Sequence, residues 1–429
     1  EGIGLMNNLM RWAVLSLLLT FFLLVSHSVA AESLQQLIDE TEPHSTLYLK
    51  NQTYEGSVTI TKPITIIGDK KTKITSLTTG ITIKETNNIT LQALQFETKL
   101  TPILVEDSKD LVFKNLNLNI DEKGVEFYRV QNVTLSSLKI EGKKEGHFSK
   151  KPNAVSLFEG EQIIVKNLFA KNIQDGMYFE KTKNVDVQQT VVEDGRYGLH
   201  FMYGTNIQLQ HNTVKNNVSG MTIMVVENAY IAHNQIERQL QLNSNGMYLY
   251  DIEEAQITNN IFKENTTATI WNQVKNTAFT KNMFQSNGTV IHSRSSPTVT
   301  VTENEFQGNI LTARSDEIGF VLNRNHYDDY NGYDFNADGI GDTDYHSFTS
   351  FGQWMVRKPV YQYYVESPSV TLLNKLDQQL SDSQNMVLVD KNPLMMMEKK
   401  EQSIQLNWLH LLGSTASLFV LFSIWRKLR

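Results

Sequence analysis

Three residues near the middle of the chain carry side chains suited to a soft cation: His200, Met202 and Met224. With no cysteine in the sequence, thiolate sites are ruled out. Imidazole and thioether donors then suit Cu(I) in an oxidising compartment. On an extended strand His200 and Met202 point the same way, with Cα atoms about 6.7 Å apart. Met-rich surfaces have a second use, as adaptable contacts for another protein, and the residues leave both readings open. A different chemistry is suggested by "DFNADGIGD", where Asp334, Asn336 and Asp338 alternate, Gly339 turns the chain and Asp342 follows. Oxygen ligands at these intervals correspond to a calcium loop, although Tyr345 stands where such loops place a bidentate Glu.

The elements that must position these side chains are repeats. A short segment opening on a small residue recurs at Gly80, Pro102, Gly124, Ala154, Gly176, Gly198, Gly220 and Gly246, and most of the intervals are 22 residues. A second strand follows each, as in "ITLQAL", "VDVQQT" and "IQLQHN". Both kinds alternate apolar and polar residues, so one face of each points inward. A unit this short buries that face only by stacking on its neighbours. The expected fold is all-β, a right-handed parallel β-helix with rungs of about 22 residues.

Register then follows from the interval. Met177, Leu199, Met221 and Met247 form one inward column, and Phe179, Phe201, Ile223 and Leu249 another. Outward columns hold Tyr178, His200, Thr222 and Tyr248, and beside them Glu180, Met202, Met224 and Tyr250. Met202 and Met224 thus sit one rung apart, about 4.8 Å. Asn212, Asn234, Asn260, Asn282, Asn304 and Asn325 recur at one point of the turn and predict a stacked amide ladder. His211 and His233 read as solvated turn residues.

The ends carry an address. Arg11 precedes the apolar run Trp12–Val25, and "SHSVAA" ends in small residues, the pattern of an export signal over 1–31. The segment from Ser33, "SLQQLIDE", predicts a helical cap within 32–46, ahead of a β-helix over 47–327. The acidic loop occupies 328–346. A helical closing segment and linker fill 347–405, with Val370, Leu373, Leu376 and Leu380 at helical spacing. Residues 406–429 read as a transmembrane helix between Trp408 and Trp425, followed by Arg426, Lys427 and Arg429 on the cytoplasmic side. The net charge of −7 gives no basic footprint for nucleic acid.

Together "GRYGLHFMYGTN", "NGYDFNADGIGDTDY" and "ESPSVTLLNKL" followed by "VLVDKNPLM" resemble the NosD family, periplasmic components of the copper-processing ABC transporter that matures nitrous oxide reductase. The resemblance implies a subunit that is not an enzyme, held at the outer face of the membrane. Its implied partners are the permease and ATPase subunits, a copper-chaperone lipoprotein that delivers the metal, and nitrous oxide reductase. The competing class is a polysaccharide-binding or polysaccharide-cleaving β-helix, which needs an acid/base pair in an outward groove. Glu180 lies on the outward face, but the alternation puts no second carboxylate beside it in the adjacent rungs.

Overall fold

The computed structural model describes residues 33–347 except 70, 317 and 318, together with 358–364, 367–370, 372, 373, 376 and 388–395. The export signal, Leu380 and the membrane segment 406–429 lie outside these residues. Among the described residues no helix is long and apolar enough to cross a membrane.

The chain winds into a parallel β-solenoid of about 13 turns with little helix. Its strands run from Thr46–Tyr48 to His326–Tyr327, each paired in parallel with the strand one turn on. The small residue that opens each repeat has a steric cause. A Cβ placed on Gly198 would stand 2.4 Å from the carbonyl oxygen of Gly220 in the next turn. The glycine column lets successive backbones close to hydrogen-bonding distance at that corner.

The strands Asp175–Gln188, Tyr197–Gln210, Ser219–Ala232 and Asn245–Thr258 stack in the register expected from the repeat. Met177 pairs with Leu199, Leu199 with Met221, and Met221 with Met247, all fully buried. Identical positions therefore pack on one another up the core. Phe262, Phe284, Phe306 and Tyr327 form a continuous aromatic stack with ring centroids 4.9 to 5.1 Å apart. Corners within these long strands are made by residues in the left-handed region. One such column runs Lys181, Tyr203, Val225 and Asp251, with φ from 51° to 55°.

The asparagine ladder is continuous. Asn234 Nδ2 donates to Asn260 Oδ1, Asn260 to Asn282, Asn282 to Asn304 and Asn304 to Asn325, at 2.9 to 3.0 Å. Each Oδ1 also accepts the backbone N–H of the residue below it, as Asn282 Oδ1 does from Asn260. A second ladder five residues further on was not expected. It runs Asn217, Gln239, Asn265, Asn287 and Asn309, each accepting the backbone N–H of the one before.

Two ends flank this stack. The helix Leu34–Glu40 starts on a capping box between Ser33 and Gln36, buries Leu34 and Ile38, and exchanges two hydrogen bonds with the Thr59 backbone through Gln35. At the other end the short strand Leu388–Asp390 pairs with Tyr345–Ser347. Asp390 is fully buried and ends the asparagine ladder. Its carboxylate accepts from the Arg324 and Asn325 backbone N–H groups, Asn325 Nδ2 and the Tyr327 hydroxyl, at 3.0 to 3.1 Å. Of the expected closing stripe, Val370 is buried against Ile310 and Tyr361, whereas Leu373 and Leu376 are exposed.

Candidate functional site: an outward patch around His200

The stacked strands place the predicted outward residues side by side. His200 pairs in register with Tyr178 and Thr222, and Met202 with Glu180 and Met224. Thr222 pairs with Tyr248 and Met224 with Tyr250. His200, Met202 and Met224 therefore share one face. Met202 and Met224 are half-buried, but His200 is only 6% exposed, deeper than an outward position implies.

The reason is a charged cluster at the corner where the strands begin. Asp175, fully buried, takes two hydrogen bonds from Arg196, Nε to Oδ1 and Nη2 to Oδ2, both 2.9 Å. His200 Nδ1 lies 2.9 Å from Asp175 Oδ2. Burial works against the Arg196 charge, yet the hydrogen bonds and charge of Asp175 outweigh it and hold the guanidinium above its ordinary value. The Arg196 guanidinium carbon lies 4.3 Å from the centroid of the Tyr197 ring. The Tyr197 and Tyr178 rings meet the imidazole near-perpendicularly, at 5.0 and 4.9 Å. Enclosed by this packing, His200 Nε2 is buried and has no hydrogen-bond partner.

Tyr178 links the cluster to the thioethers. Its hydroxyl donates to Glu180 Oε2 at 2.7 Å and lies 3.7 Å from Met202 Sδ. Burial first, and then the hydrogen bond to Glu180, push the phenol well above its usual pKa, so Tyr178 is a neutral donor. Next to it the Phe158 ring stacks on Tyr128 at 5.0 Å and tilts against Tyr178 at 5.5 Å, extending an aromatic stripe along the same face.

Asp175 and Arg196 were missed by the sequence reading, which found no second carboxylate near this face. Strict alternation puts Asp175 on the inward side with Met177. At the corner, side-chain direction follows the turn rather than the alternation, and Asp175 meets His200 of the next rung. The available signal was the interval: Arg196 lies 21 residues and His200 25 residues after Asp175, close to one repeat.

In the acidic loop the side-chain oxygens accept backbone hydrogen bonds. Asp334 accepts from the backbone N–H groups of Asp338 and Gly339, Asn336 Oδ1 from that of Asp338, Asp338 Oδ1 from that of Ile340, and Asp342 Oδ2 from that of Phe335. The oxygens expected to ligate calcium are engaged in Asx-type turns. Among the described residues no group of three or more His, Asp or Glu is arranged to hold a metal ion. The loop instead docks on the closing segment. Gly341 donates to Pro393 and Met395 to Gly339, and Ile340 bridges Leu394. The calcium expectation at Asp334, Asn336, Asp338 and Asp342 is thus unsupported, and the loop's visible work is closure.

No curated protein matches the chain in sequence. Similar solved structures include the periplasmic alginate epimerase AlgG, 15% identical over 68% of this chain and 76% of that one, with a TM-score of 0.47. A GH136 lacto-N-biosidase from Eubacterium ramulus is 11% identical over 65% of this chain, which spans 60% of its length, with a TM-score of 0.42. PfbA, a surface adhesin of Streptococcus pneumoniae, is 11% identical over 62% of this chain and 84% of that one, with a TM-score of 0.43. At these identities the likeness is one of fold alone. The expectation that the chain is not an enzyme is withdrawn on the geometry of the patch: the Asp175 carboxylate, which that expectation left out, stands 2.9 Å from His200 Nδ1. A family model described as periplasmic copper-binding protein (NosD) matches residues 142–337, a stretch that contains the whole outward patch. That match and the parallel β-solenoid both fit the NosD family, the resemblance carried by the central strand and the acidic loop.

Proposed function

We propose that this chain is an extracytoplasmic copper-handling subunit that takes Cu(I) as cargo at His200, Met202 and Met224. The observation that supports it is the register. One imidazole and two thioethers meet on a single outward patch within the stretch matched by a periplasmic copper-binding family. The donor set fits the ion, since thioethers and imidazole select Cu(I) over harder cations and a cysteine-free chain leaves no thiolate competitor. In this reading the copper arrives from a lipoprotein chaperone and leaves toward nitrous oxide reductase. ABC permease and ATPase subunits, together with the C-terminal segment 406–429, hold the solenoid at the outer face of the membrane. The helix Leu34–Glu40 closes its first turn.

Anaerobic titration with Cu(I) against a competing chelator tests it, with the triple variant His200→Ala/Met202→Ala/Met224→Ala as control. Tight stoichiometric binding that disappears in the triple variant is expected. Equal behaviour of the two proteins would refute the site.

A second reading rests on one observation, the Asp175–His200 pair. A histidine oriented by a carboxylate has the geometry of a general base, and Tyr178 and Arg196 flank it. Incubation with uronate and neutral polysaccharides checks this reading, which requires product formation that His200→Ala removes.

A further inference from the structure

We propose that Asp175, clamped by Arg196, fixes the ring proton of His200 on Nδ1 and so presents Nε2 as the bare donor of the outward patch. Asp175 and Arg196 are then positioning residues for that site. What Nε2 binds rests on the copper reading above; the orientation of the ring does not.

The argument begins with the acceptor. Both Asp175 oxygens are fixed by the two parallel Arg196 bonds, the fork geometry that a guanidinium makes with an ionised carboxylate. An ionised carboxylate only accepts, so the hydrogen bond at 2.9 Å must be donated by His200 Nδ1. In the neutral ring the lone pair then falls on Nε2. That atom is buried and unpartnered, in a side chain only 8% exposed. Buried polar atoms without a partner are uncommon and call for an explanation. Thr222, its register neighbour on the other side from Tyr178, donates its own hydroxyl to Ser219 and leaves Nε2 alone.

Histidines that bind metals commonly donate their second ring N–H to a carboxylate, which sets the tautomer and raises the basicity of the ligating nitrogen. Here the carboxylate is itself held by Arg196, so it cannot follow the ring, and rotation that exchanges the two nitrogens would break the buried Nδ1 hydrogen bond. Tyr178 closes the way in. Its ring covers the imidazole and its hydroxyl rests between Glu180 and Met202 Sδ. A soft cation reaching Nε2 and Met202 together must displace that hydroxyl.

Two measurements on the full chain test the proposal. In protein labelled with ¹⁵N-histidine and assigned with His200→Ala, the His200 ring nitrogens should report a protonated Nδ1 and an unprotonated Nε2. The opposite tautomer would overturn the proposal outright, whether or not copper binds. Cu(I) affinity by chelator competition should fall roughly 10- to 100-fold in Asp175→Asn, the usual effect of losing a carboxylate behind a ligating histidine. Asp175→Glu, which keeps the acceptor and the charge, should recover part of that loss. Cu(I) binding that needs His200 but is indifferent to Asp175→Asn would also overturn it. If the wild-type chain shows the Nδ1–H tautomer and binds no Cu(I), the ring orientation stands and the copper reading fails.

Discussion

Two buried polar networks run through neighbouring turns of this solenoid and finish differently. The asparagine ladder closes on itself. Every amide from Asn212 to Asn325 both donates and accepts, and Asp390 takes the last donors where the next asparagine would have been. In the cluster of Asp175, Arg196 and His200 the carboxylate and the imidazole are buried and Arg196 is half-buried, and the cluster ends on an atom without a hydrogen-bond partner, His200 Nε2. A network that satisfies all its groups holds a fold together, because each lost partner strands another group in a low-dielectric interior. One left with an open position gives up that stabilisation at the open atom.

The largest effect should come from breaking the closed network. Asn260→Ala removes donors to Ile231 O and Asn282 and the acceptor used by Asn234. It should cost about 3–5 kcal/mol of unfolding free energy, read from urea denaturation. Asp390→Ala strips the terminal acceptor from Arg324, Asn325 and Tyr327. A loss of roughly 2–4 kcal/mol is expected, with earlier hydrogen exchange confined to the last turns. A two-state melt that moves as a whole in this variant would show that the end is not a separate cooperative unit.

The open network should behave in the opposite sense. His200→Leu removes one hydrogen bond and also the unpartnered nitrogen, while Asp175 keeps both Arg196 bonds. The stability change should stay within about 1 kcal/mol even as Cu(I) affinity is lost. A penalty as large as that of Asn260→Ala would mean that His200 is a structural member of the core.

His292 sharpens the contrast from within the same outward column. It follows His200 through Thr222, Tyr248 and Ile270, each in register with the next. Here the partner is a cation: Arg314 Nη2 lies 2.8 Å from His292 Nδ1, which must accept. Burial first, then the charges of Arg314 and Arg294, lower this imidazole from 6.5 to about 4. Between those pH values the unfolded chain binds the extra proton and the folded chain does not. Stability should therefore decline as the pH falls from about 6.5 toward 4, and His292→Gln should flatten that part of the curve. An unchanged acid limb would place the proton uptake elsewhere.

Much of this was legible in the residues. The repeat interval alone puts Leu199 on Met177 and Met224 on Met202, because in-register parallel stacking needs only a period and an alternation. The asparagine ladder followed for the same reason, since one residue type recurred at one phase of the repeat. The second ladder escaped notice because Gln239 interrupts its asparagines and an inserted segment stretches the interval after it to 26 residues. The acidic loop is ambiguous in sequence because spacing that suits calcium also suits Asx turns.

Composition and period determined by themselves that the chain stacks into a solenoid, which side chains fill its core and which share its outward face. A strand's alternation and a turn's repeat are local properties that the backbone cannot escape. The partners of those outward side chains were settled only in three dimensions. Whether an imidazole meets Asp175 or Arg314 depends on how left-handed corners and neighbouring turns aim side chains across one rung. Asp390 likewise reaches the ladder from 65 residues beyond Asn325. Such contacts have no period of their own, so the physics that fixes them exists only once the turns have stacked.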